Sequence, residues 1–251
     1  MRLLDQSLCQ LAGISPMAEI ALRNKGIWTG RQLVTQAETL FSPRQAAKIR
    51  EAYSRIELAR ENGLLDLLVN SMPCGHRVRV LADYLSQALF LDVETTGLSS
   101  NAQIVCISTC LNGKISSFVR GRNLEQFLLQ WSQAGMLVTF NGKHFDMPLV
   151  QREFSLSAVP AHIDLRDEAR TFGYVGGLKS IEEEIGFQRQ RTVCTCGADA
   201  PRLWEKYCEE KDTNALDALV QYNQEDVRAL TLIWRKILKF SLENTGIPMP
   251  V

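Results

Sequence analysis

The first 85 residues carry apolar side chains at helical spacing. Leucine, isoleucine, valine and alanine recur at helical spacing along the chain, in residues 3–11, then 20–22, then 33–40, as expected for a buried helix face. Ser42 followed by Pro43 has the form of an N-cap with proline in the first turn, and it predicts a long helix over residues 43–62. We therefore expect a small all-helical domain over residues 1–85.

The pattern becomes mixed after this helical region. Residues 63–87 form a bridge, in which the alternation Arg77-Val78-Arg79-Val80 favours a short edge strand. Asn112-Gly113 lies between two apolar runs and is a strong signal for a β-hairpin. Short apolar runs predict strands at residues 88–93, 103–111, 114–120, 136–140 and 163–165.

Helical patterns separate and follow these strands. They lie at residues 124–133, from about 144, at 178–185, at 200–210 and at about 215–240. A hairpin-led mixed sheet flanked by helices is an α/β fold. We therefore expect an α/β domain over residues 86–251, preceded by the helical domain.

Composition is that of an ordinary globular protein, with 45% hydrophobic and 22% charged residues among 251. The sequence shows no apolar stretch long enough to span a bilayer, and residues 1–13 lack the order of a signal peptide. The seven cysteines are odd in number and scattered, which favours reduced thiols. These features predict a cytoplasmic location and no membrane partner.

Charge is balanced overall but unevenly distributed. Residues 1–85 hold 11 basic and 8 acidic side chains, and residues 86–251 hold 17 and 20. The difference is too small to establish a nucleic-acid partner from bulk electrostatics. The excess of basic residues in 1–85 and of acidic residues in 86–251 suits a basic helper domain beside an acidic site.

Two carboxylates follow the apolar run at residues 88–91 and lie at the end of the first predicted strand. Asp92 and Glu94 are two residues apart, so on a strand they share one face. Neighbouring carboxylates repel each other and are costly to bury, and a hard divalent cation such as Mg²⁺ removes that cost. Thr95-Thr96-Gly97 then offers hydroxyls and a turn with room for a ligand. The alternative is a strand end with two solvated acids.

Two further stretches supply acids. An apolar strand runs into Asn141-Gly142, and Asp146 lies in the first turn of the helix that follows, where the helix dipole stabilises an anion. Tyr222 and Asp226 are four residues apart on the last helix and share a face. Each of these residues alone is equally consistent with a helix-start or solvated surface position.

The ordered set Asp92-x-Glu94, Asn141-x-x-x-Phe145-Asp146 and Tyr222-x-x-x-Asp226 resembles the three exonuclease motifs of the DEDD superfamily in its tyrosine version. The histidine version would place histidine where Gln221 stands. Over residues 88–240 the chain resembles the YprB-like branch of ribonuclease H-like proteins. The resemblance implies a ribonuclease H-like mixed β-sheet flanked by helices.

This resemblance also implies a chemistry. Asp92, Glu94, Asp146 and Asp226 would hold two Mg²⁺ or Mn²⁺ ions, and Tyr222 would orient the attacking water or help take its proton. The expected reaction is 3′–5′ exonucleolytic hydrolysis of phosphodiester bonds to nucleoside monophosphates. The expected partner is single-stranded nucleic acid or a nucleic-acid 3′ end, of DNA or RNA.

Other residues are candidates for weaker reasons. Candidate substrate contacts are Thr95, Asn141, Lys143, Asp164 and Lys179. Residues 8–19 resemble a helix-hairpin-helix element, which offers backbone N–H groups to phosphate; the alternative is an ordinary turn between packed helices. Cys194, Cys196 and Cys208 lack a fourth ligand for structural zinc.

Two other functions remain open at this point. One is a module that binds nucleic-acid ends with little turnover, because a fold does not determine a function. The other is an RNase H-type endonuclease that cuts inside a strand. Metal-dependent release of mononucleotides would distinguish an exonuclease from an end-binding module. The length of the products would distinguish an exonuclease from an endonuclease.

Overall fold

The fold was examined in a computed structural model that describes residues 2–97, 99, 101–189 and 199–249. The chain divides into two compact units. The first contains Met1–Leu85, Asp167–Gly173 and Arg235–Val251, and the second contains Ser86–Arg166 and Tyr174–Trp234. The division of function between a domain over residues 1–85 and one over 86–251 stays a prediction.

The amino-terminal part of the first unit is helical, as its apolar spacing predicts. Ser42 caps the longest of these helices by accepting the backbone N–H of Gln45, with Pro43 in the first turn. The helices are α1 (Leu3–Gln6), α2 (Pro16–Arg23), α3 (Gly30–Leu40), α4 (Pro43–Glu61), α5 (Leu65–Ser71) and α6 (Val78–Asp83).

The helix-hairpin-helix-like segment is a short 3-10 turn followed by α2. The turn covers Leu8–Gln10, and Gly13 then adopts a positive φ of 76°, which glycine tolerates at little cost. Gln45 donates its side-chain amide to the carbonyl of Ala12 at 2.6 Å. The hairpin therefore packs on α4, and its contact with nucleic acid stays a prediction.

The edge strand expected at residues 77–80 is wrong, since α6 begins at Val78. Arg79 is fully buried. Its guanidinium forms an ion pair with buried Glu19 at 3.1 Å, and Glu19 also pairs with Arg23 at 2.6 Å. A charged residue normally indicates a solvent-exposed position. Because Arg79 is buried and paired, the polar–apolar alternation here does not reflect exposure, and a helix has the sequence pattern of a strand.

The second unit is built on one five-stranded mixed sheet, and this confirms the α/β fold. The strand order is β3-β2-β1-β4-β5. Neighbours are antiparallel in the first half and parallel where β4 joins β1 and β5. The strands are β1 (Ala88–Thr95), β2 (Ile104–Leu111), β3 (Lys114–Val119), β4 (Met136–Thr139) and β5 (Ala161–Asp164).

The turn between β2 and β3 is the predicted hairpin. Asn112 and Gly113 both have positive φ, 52° and 77°, which is what a two-residue turn matching the strand twist requires. β1 is longer than predicted. It continues to Thr95, so Asp92 and Glu94 lie within the strand, opposite Ser108 and Cys106 of β2.

The two faces of β1 meet different surroundings. Leu89, Leu91 and Val93 belong to a buried apolar cluster that includes Phe127 and Val150. Because side chains alternate along a strand, Phe90, Asp92 and Glu94 point to the opposite face. On that face the ring of Phe90 lies 6.5 Å from the ring of Trp234 on the last helix.

The remaining helices follow the sheet strands in the chain. The last one is the longest, and its residues from Arg235 onward belong to the first unit. No helix among the described residues is long and apolar enough to cross a membrane. These helices are α7 (Phe127–Trp131), α8 (Asp146–Phe154), α9 (Leu165–Arg170), α10 (Leu178–Ile185), α11 (Ala200–Glu210) and α12 (Thr213–Glu243).

Candidate active site

Two carboxylates extend from the central strand at the carboxyl end of the parallel pair. β4 pairs with β1 only along Ala88–Phe90, so Asp92 and Glu94 lie beyond the end of that pairing. Both project from the face that α12 covers. The carboxyl ends of parallel strands are where open α/β sheets bind ligands.

The third carboxylate comes from α12. Apolar residues of α12, among them Leu219 and Leu230, are fully buried and fix the helix on the sheet. Asp226 is also buried, at 5% exposure. One ligand oxygen each from Asp92, Glu94 and Asp226 lie within 4.8 Å of one another. Folding therefore brings Asp226 together in space with Asp92 and Glu94, although it lies far from them in the sequence.

The fourth carboxylate is positioned by a tight turn after β4. Asp146 is the first residue of α8 and is 4% exposed. Gly142 lies beside it: a Cβ added there would be 2.7 Å from Oδ2 of Asp146 and would overlap the side chain of Thr139. The turn therefore brings its backbone against the carboxylate in a way that only glycine permits.

All four carboxylates line one open cavity of about 390 Å³. Phe140 and Phe145 contribute aromatic surface to it, and the amino-terminal end of α10 contributes backbone and one lysine. The residues that line it are Asp92, Val93, Glu94, Phe140, Asn141, Phe145, Asp146, Gly177, Leu178, Lys179, Tyr222 and Asp226.

The carboxylates raise one another's pKa values. Burial and then the charges of Asp226 and Asp146 hold the pKa values of Asp92 and Glu94 well above their usual range. Burial, followed by the charge of Asp164, raises the pKa of Asp146 to about 8. Burial raises the pKa of Asp226 to about 6 against the opposing charge of Arg189. Without a bound cation, ionising these carboxylates costs free energy through burial and mutual repulsion, and cations in the site would lower that cost.

Tyr222 lies one helical turn before Asp226 and is 5% exposed. Burial and the neighbouring carboxylate of Asp226 raise the pKa of its phenol, so the hydroxyl keeps its proton at neutral pH. Nζ of Lys179 lies 5.0 Å from the ring centroid, and Cζ of Arg189 lies 5.1 Å from it. These cation–π contacts hold the ring within the site.

Asn223 is a site residue that the motif search did not select. Its side-chain amide donates to Oδ2 of Asp92 at 2.6 Å, and the residue is fully buried. The signal available in the sequence was its place next to Tyr222. One residue along a helix is about 100° around it, so only the packing of α12 against β1 shows that Asn223 faces Asp92.

Arg189 and Glu182 form an ion pair at the site that the sequence analysis did not predict. Nε of Arg189 donates to Oε2 of Glu182 at 2.7 Å, and Nη2 donates to Oε1 at 2.5 Å. Nη2 also contacts Oδ1 of Asp226. A basic residue in a loop is usually solvated, and here the carboxylates of two helices fix the position of Arg189.

Asp164 organises the turn that carries Asn141 and Gly142. Its carboxylate accepts the backbone N–H groups of Asn141 at 2.7 Å, Lys143 at 3.2 Å and Arg166 at 3.1 Å. Asp164 is 2% exposed. Among the described residues, neither Asp164 nor Lys143 lines the cavity. Their contact with substrate stays a prediction, and the geometry gives Asp164 a role in holding the backbone.

Asn141 does line the cavity, with a left-handed φ of 61°. Its side-chain oxygen accepts Nη1 of Arg166 at 2.7 Å. Lys179 lines the cavity as well. The hydroxyl of Thr95 donates to the carbonyl of Gly97 at 2.7 Å and so shapes the turn after β1. Contact of these side chains with substrate stays a prediction.

The donor set fits a divalent cation. Four carboxylates supply only oxygen atoms, which Mg²⁺ and Mn²⁺ prefer, and burial together with mutual repulsion raises their pKa values. The zinc hypothesis falls largely outside the described residues, because Cys194 and Cys196 lie there. Cys208 is a free, exposed thiol on α11.

No curated protein matches the chain. A solved structure, a family B DNA polymerase from the hyperthermophilic archaeon Pyrobaculum calidifontis, aligns with 18% identity and a TM-score of 0.49. The alignment covers 61% of this chain and 24% of the polymerase chain, so this chain spans about a quarter of that protein's length.

The family comparison covers more than half of the chain. A family model described as "RNase_H superfamily" matches residues 89–238. The match begins in β1 and ends in α12, and so includes all four carboxylates and Tyr222. This chain belongs to the RNase H superfamily.

Proposed function

We propose that this chain is a metal-dependent 3′–5′ exonuclease that releases nucleoside monophosphates from the end of a nucleic-acid strand. One observation supports the proposal above all. Asp92, Glu94, Asp146, Asp226 and Tyr222 line a single cavity in a chain of the RNase H superfamily. Phosphodiester hydrolysis requires mainly positioning and charge neutralisation, and this cavity supplies groups for both.

The four carboxylates would hold two Mg²⁺ or Mn²⁺ ions. When bound, such ions generate a hydroxide nucleophile at neutral pH and stabilise the charge on the leaving oxygen. The protein contributes by fixing the carboxylates before the substrate arrives: Asn223 orients Asp92, and the Gly142 turn places Asp146. This preorganisation reduces the rearrangement needed during the reaction.

Tyr222 would act as a hydrogen-bond donor. Because burial and Asp226 raise the pKa of its phenol, the group is a poor base at neutral pH. A protonated phenol in the cavity can orient the attacking water or contact a phosphate oxygen. We therefore assign Tyr222 to orientation and not to proton removal.

The substrate would enter as a single strand. Phe140 and Phe145 line the cavity beside the carboxylates, and aromatic side chains stack on bases without reading their sequence. A cavity of about 390 Å³ is within the size range of small-ligand sites. These features favour an unpaired terminal nucleotide over a continuous duplex.

The test uses matched single-stranded DNA and RNA labelled at the 5′ end, with Mg²⁺, with Mn²⁺ and with a chelator. Wild type is expected to produce a ladder that shortens from the 3′ end, and mononucleotides as the released product. Asp92→Asn and Asp226→Asn are expected to lose at least about 10²-fold in kcat, because each removes a charged ligand group.

Asp217→Asn is the matched control, since it makes the same chemical change on α12 at an exposed position. It should retain wild-type activity. Strand binding without any cleavage by wild type would favour an end-binding module and contradict the proposal. Internal fragments in place of mononucleotides would favour an endonuclease.

A further inference from the structure

Glu182 and Arg189 form an ion pair whose charges cancel. Glu182 accepts two hydrogen bonds from the guanidinium of Arg189, at 2.7 and 2.5 Å, and its side chain is only 4% exposed. Such a two-bond fork between arginine and a carboxylate fixes the plane of the guanidinium. The pair therefore adds no net charge to the acidic cavity. Its contribution is a donor held at a defined place.

The same guanidinium contacts two proposed catalytic residues. Nη2 donates to Oδ1 of Asp226, and Cζ lies 5.1 Å from the ring centroid of Tyr222. Tyr222 and Asp226 are one turn apart on α12. One group therefore fixes both the carboxylate and the ring, and it occupies only one of the two oxygens of Asp226.

A solely stabilising role does not account for this arrangement. Removing two charges from water costs free energy that a buried ion pair commonly fails to recover. The third partner, Asp226, is itself a buried carboxylate. Nη1 of Arg189 is also buried and has no hydrogen-bond partner within the described part of the chain, which adds to that cost.

We propose that Arg189, held by Glu182, is a positioning residue that orients Asp226 for metal binding and Tyr222 for the reaction. Arg189 contacts Oδ1 of Asp226, and the other carboxylate oxygen would be left for a cation. The part that concerns Tyr222 rests on the exonuclease function proposed above. The part that concerns Asp226 does not, because it predicts metal affinity in the absence of any nucleic acid.

The test compares wild type with the double variant E182Q/R189Q. This variant removes one negative and one positive charge, so the net charge of the site is unchanged while the fork that orients Asp226 is lost. Mn²⁺ affinity, measured by calorimetry without nucleic acid, is expected to fall by about 10-fold or more, the usual effect of losing a residue that orients a metal ligand. On single-stranded substrate, kcat should fall while KM changes little.

R189K is the second variant, because it keeps the positive charge and loses the fork geometry. It is expected to lose Mn²⁺ affinity by a smaller factor, and it remains informative if the double variant does not fold. The control is E153Q/R120Q, which removes a part-buried ion pair of the same unit, 2.6 Å long. It should leave Mn²⁺ affinity unchanged.

Wild-type Mn²⁺ affinity in both E182Q/R189Q and R189K would overturn the proposal. Tighter Mn²⁺ binding in either variant would also overturn it, since Arg189 would then compete with the cation. The outcome is separable from that of the proposed function. Loss of Mn²⁺ affinity in a protein without nuclease activity would support the positioning role and contradict the exonuclease.

Discussion

Individual residues at the site combine features that are unfavourable for folding. Three of the four carboxylates are buried to 9% exposure or less, and each raises the pKa of another. A structure tolerates such a cost at a functional site when a ligand repays it. Among the described residues, Asp92, Glu94 and Asp226 form a group whose ligand atoms converge.

Tyr222→Phe separates orientation from metal binding. Removing the hydroxyl while keeping the ring is expected to lower kcat by about 10²-fold, the typical effect of one preorganised hydrogen-bond donor. Mn²⁺ affinity should stay at the wild-type value, because Asp226 and the other carboxylates are intact. Kinetics and calorimetry on the same preparation check both statements. Unchanged kcat would remove Tyr222 from the mechanism.

The pH dependence of stability follows from Asp146 and Asp226. Folding raises their pKa values from 3.8 to about 8 and about 6, so the folded state binds more protons than the unfolded state between these values. The stability from both groups is fully present below about pH 3.8, and it is lost as the pH rises through 6 and then 8.

Urea unfolding of the metal-free protein between pH 5 and 9, with a chelator present, is the measurement that checks this. The free energy of unfolding should decrease as the pH rises, and Asp146→Asn should flatten the upper part of the curve. The same carboxylates bound to a cation should show a much weaker dependence. Stability that rises with pH across this window would contradict the assignment of buried, mutually repelling acids.

At the scale of elements, the turn between β4 and α8 determines the position of Asp146. The backbone of Gly142 approaches the side chains of Thr139 and Asp146, and Asp164 of β5 holds the turn through backbone N–H groups. β4 and β5 are parallel neighbours, so the residue that stabilises the turn comes from the adjacent strand.

Gly142→Ala tests the turn. The added methyl group has no space, so the turn must shift, at a cost of about 1–3 kcal/mol in the free energy of unfolding. Asp146 moves with it, and activity and Mn²⁺ affinity are expected to fall together. Gly177→Ala is the stability control, because its Cβ would meet nothing within 4 Å. Equal stability for the two variants would contradict this description of the turn.

Elements were predictable where local chemistry decides the conformation. The β2–β3 hairpin follows from Asn112-Gly113, whose positive φ values the turn requires, and α4 follows from its serine cap and proline. The segment at residues 77–80 was not predictable in this way. The burial of Arg79 depends on Glu19, which is sixty residues away, and no local pattern contains that partner.

For the whole molecule, metal binding and folding should be linked. A cation that binds only the folded state stabilises it by RT ln(1 + [L]/Kd), about 2.7 kcal/mol at one hundred times Kd. Mg²⁺ or Mn²⁺ should therefore raise the unfolding temperature of wild type. Asp92→Asn and Asp226→Asn should show a much smaller rise, and Asp217→Asn the full one. Thermal unfolding with and without a chelator checks this, and an equal rise in all four proteins would place the cation elsewhere.

The sequence by itself determined the α/β class, the helical amino-terminal region and the set of acids worth examining. These depend on apolar periodicity, on turn chemistry and on three ordered motifs, all of which are local along the chain. The tertiary structure decided which polar residues meet those acids. Asn223 and Glu182 acquire their contacts only because α12 and α10 carry them to the sheet face of Asp92 and Glu94. Arg189, which follows α10, reaches Asp226 of α12 only in the folded chain. Hydrogen bonds and ion pairs act over a few ångströms, and only the packed fold brings distant residues that close.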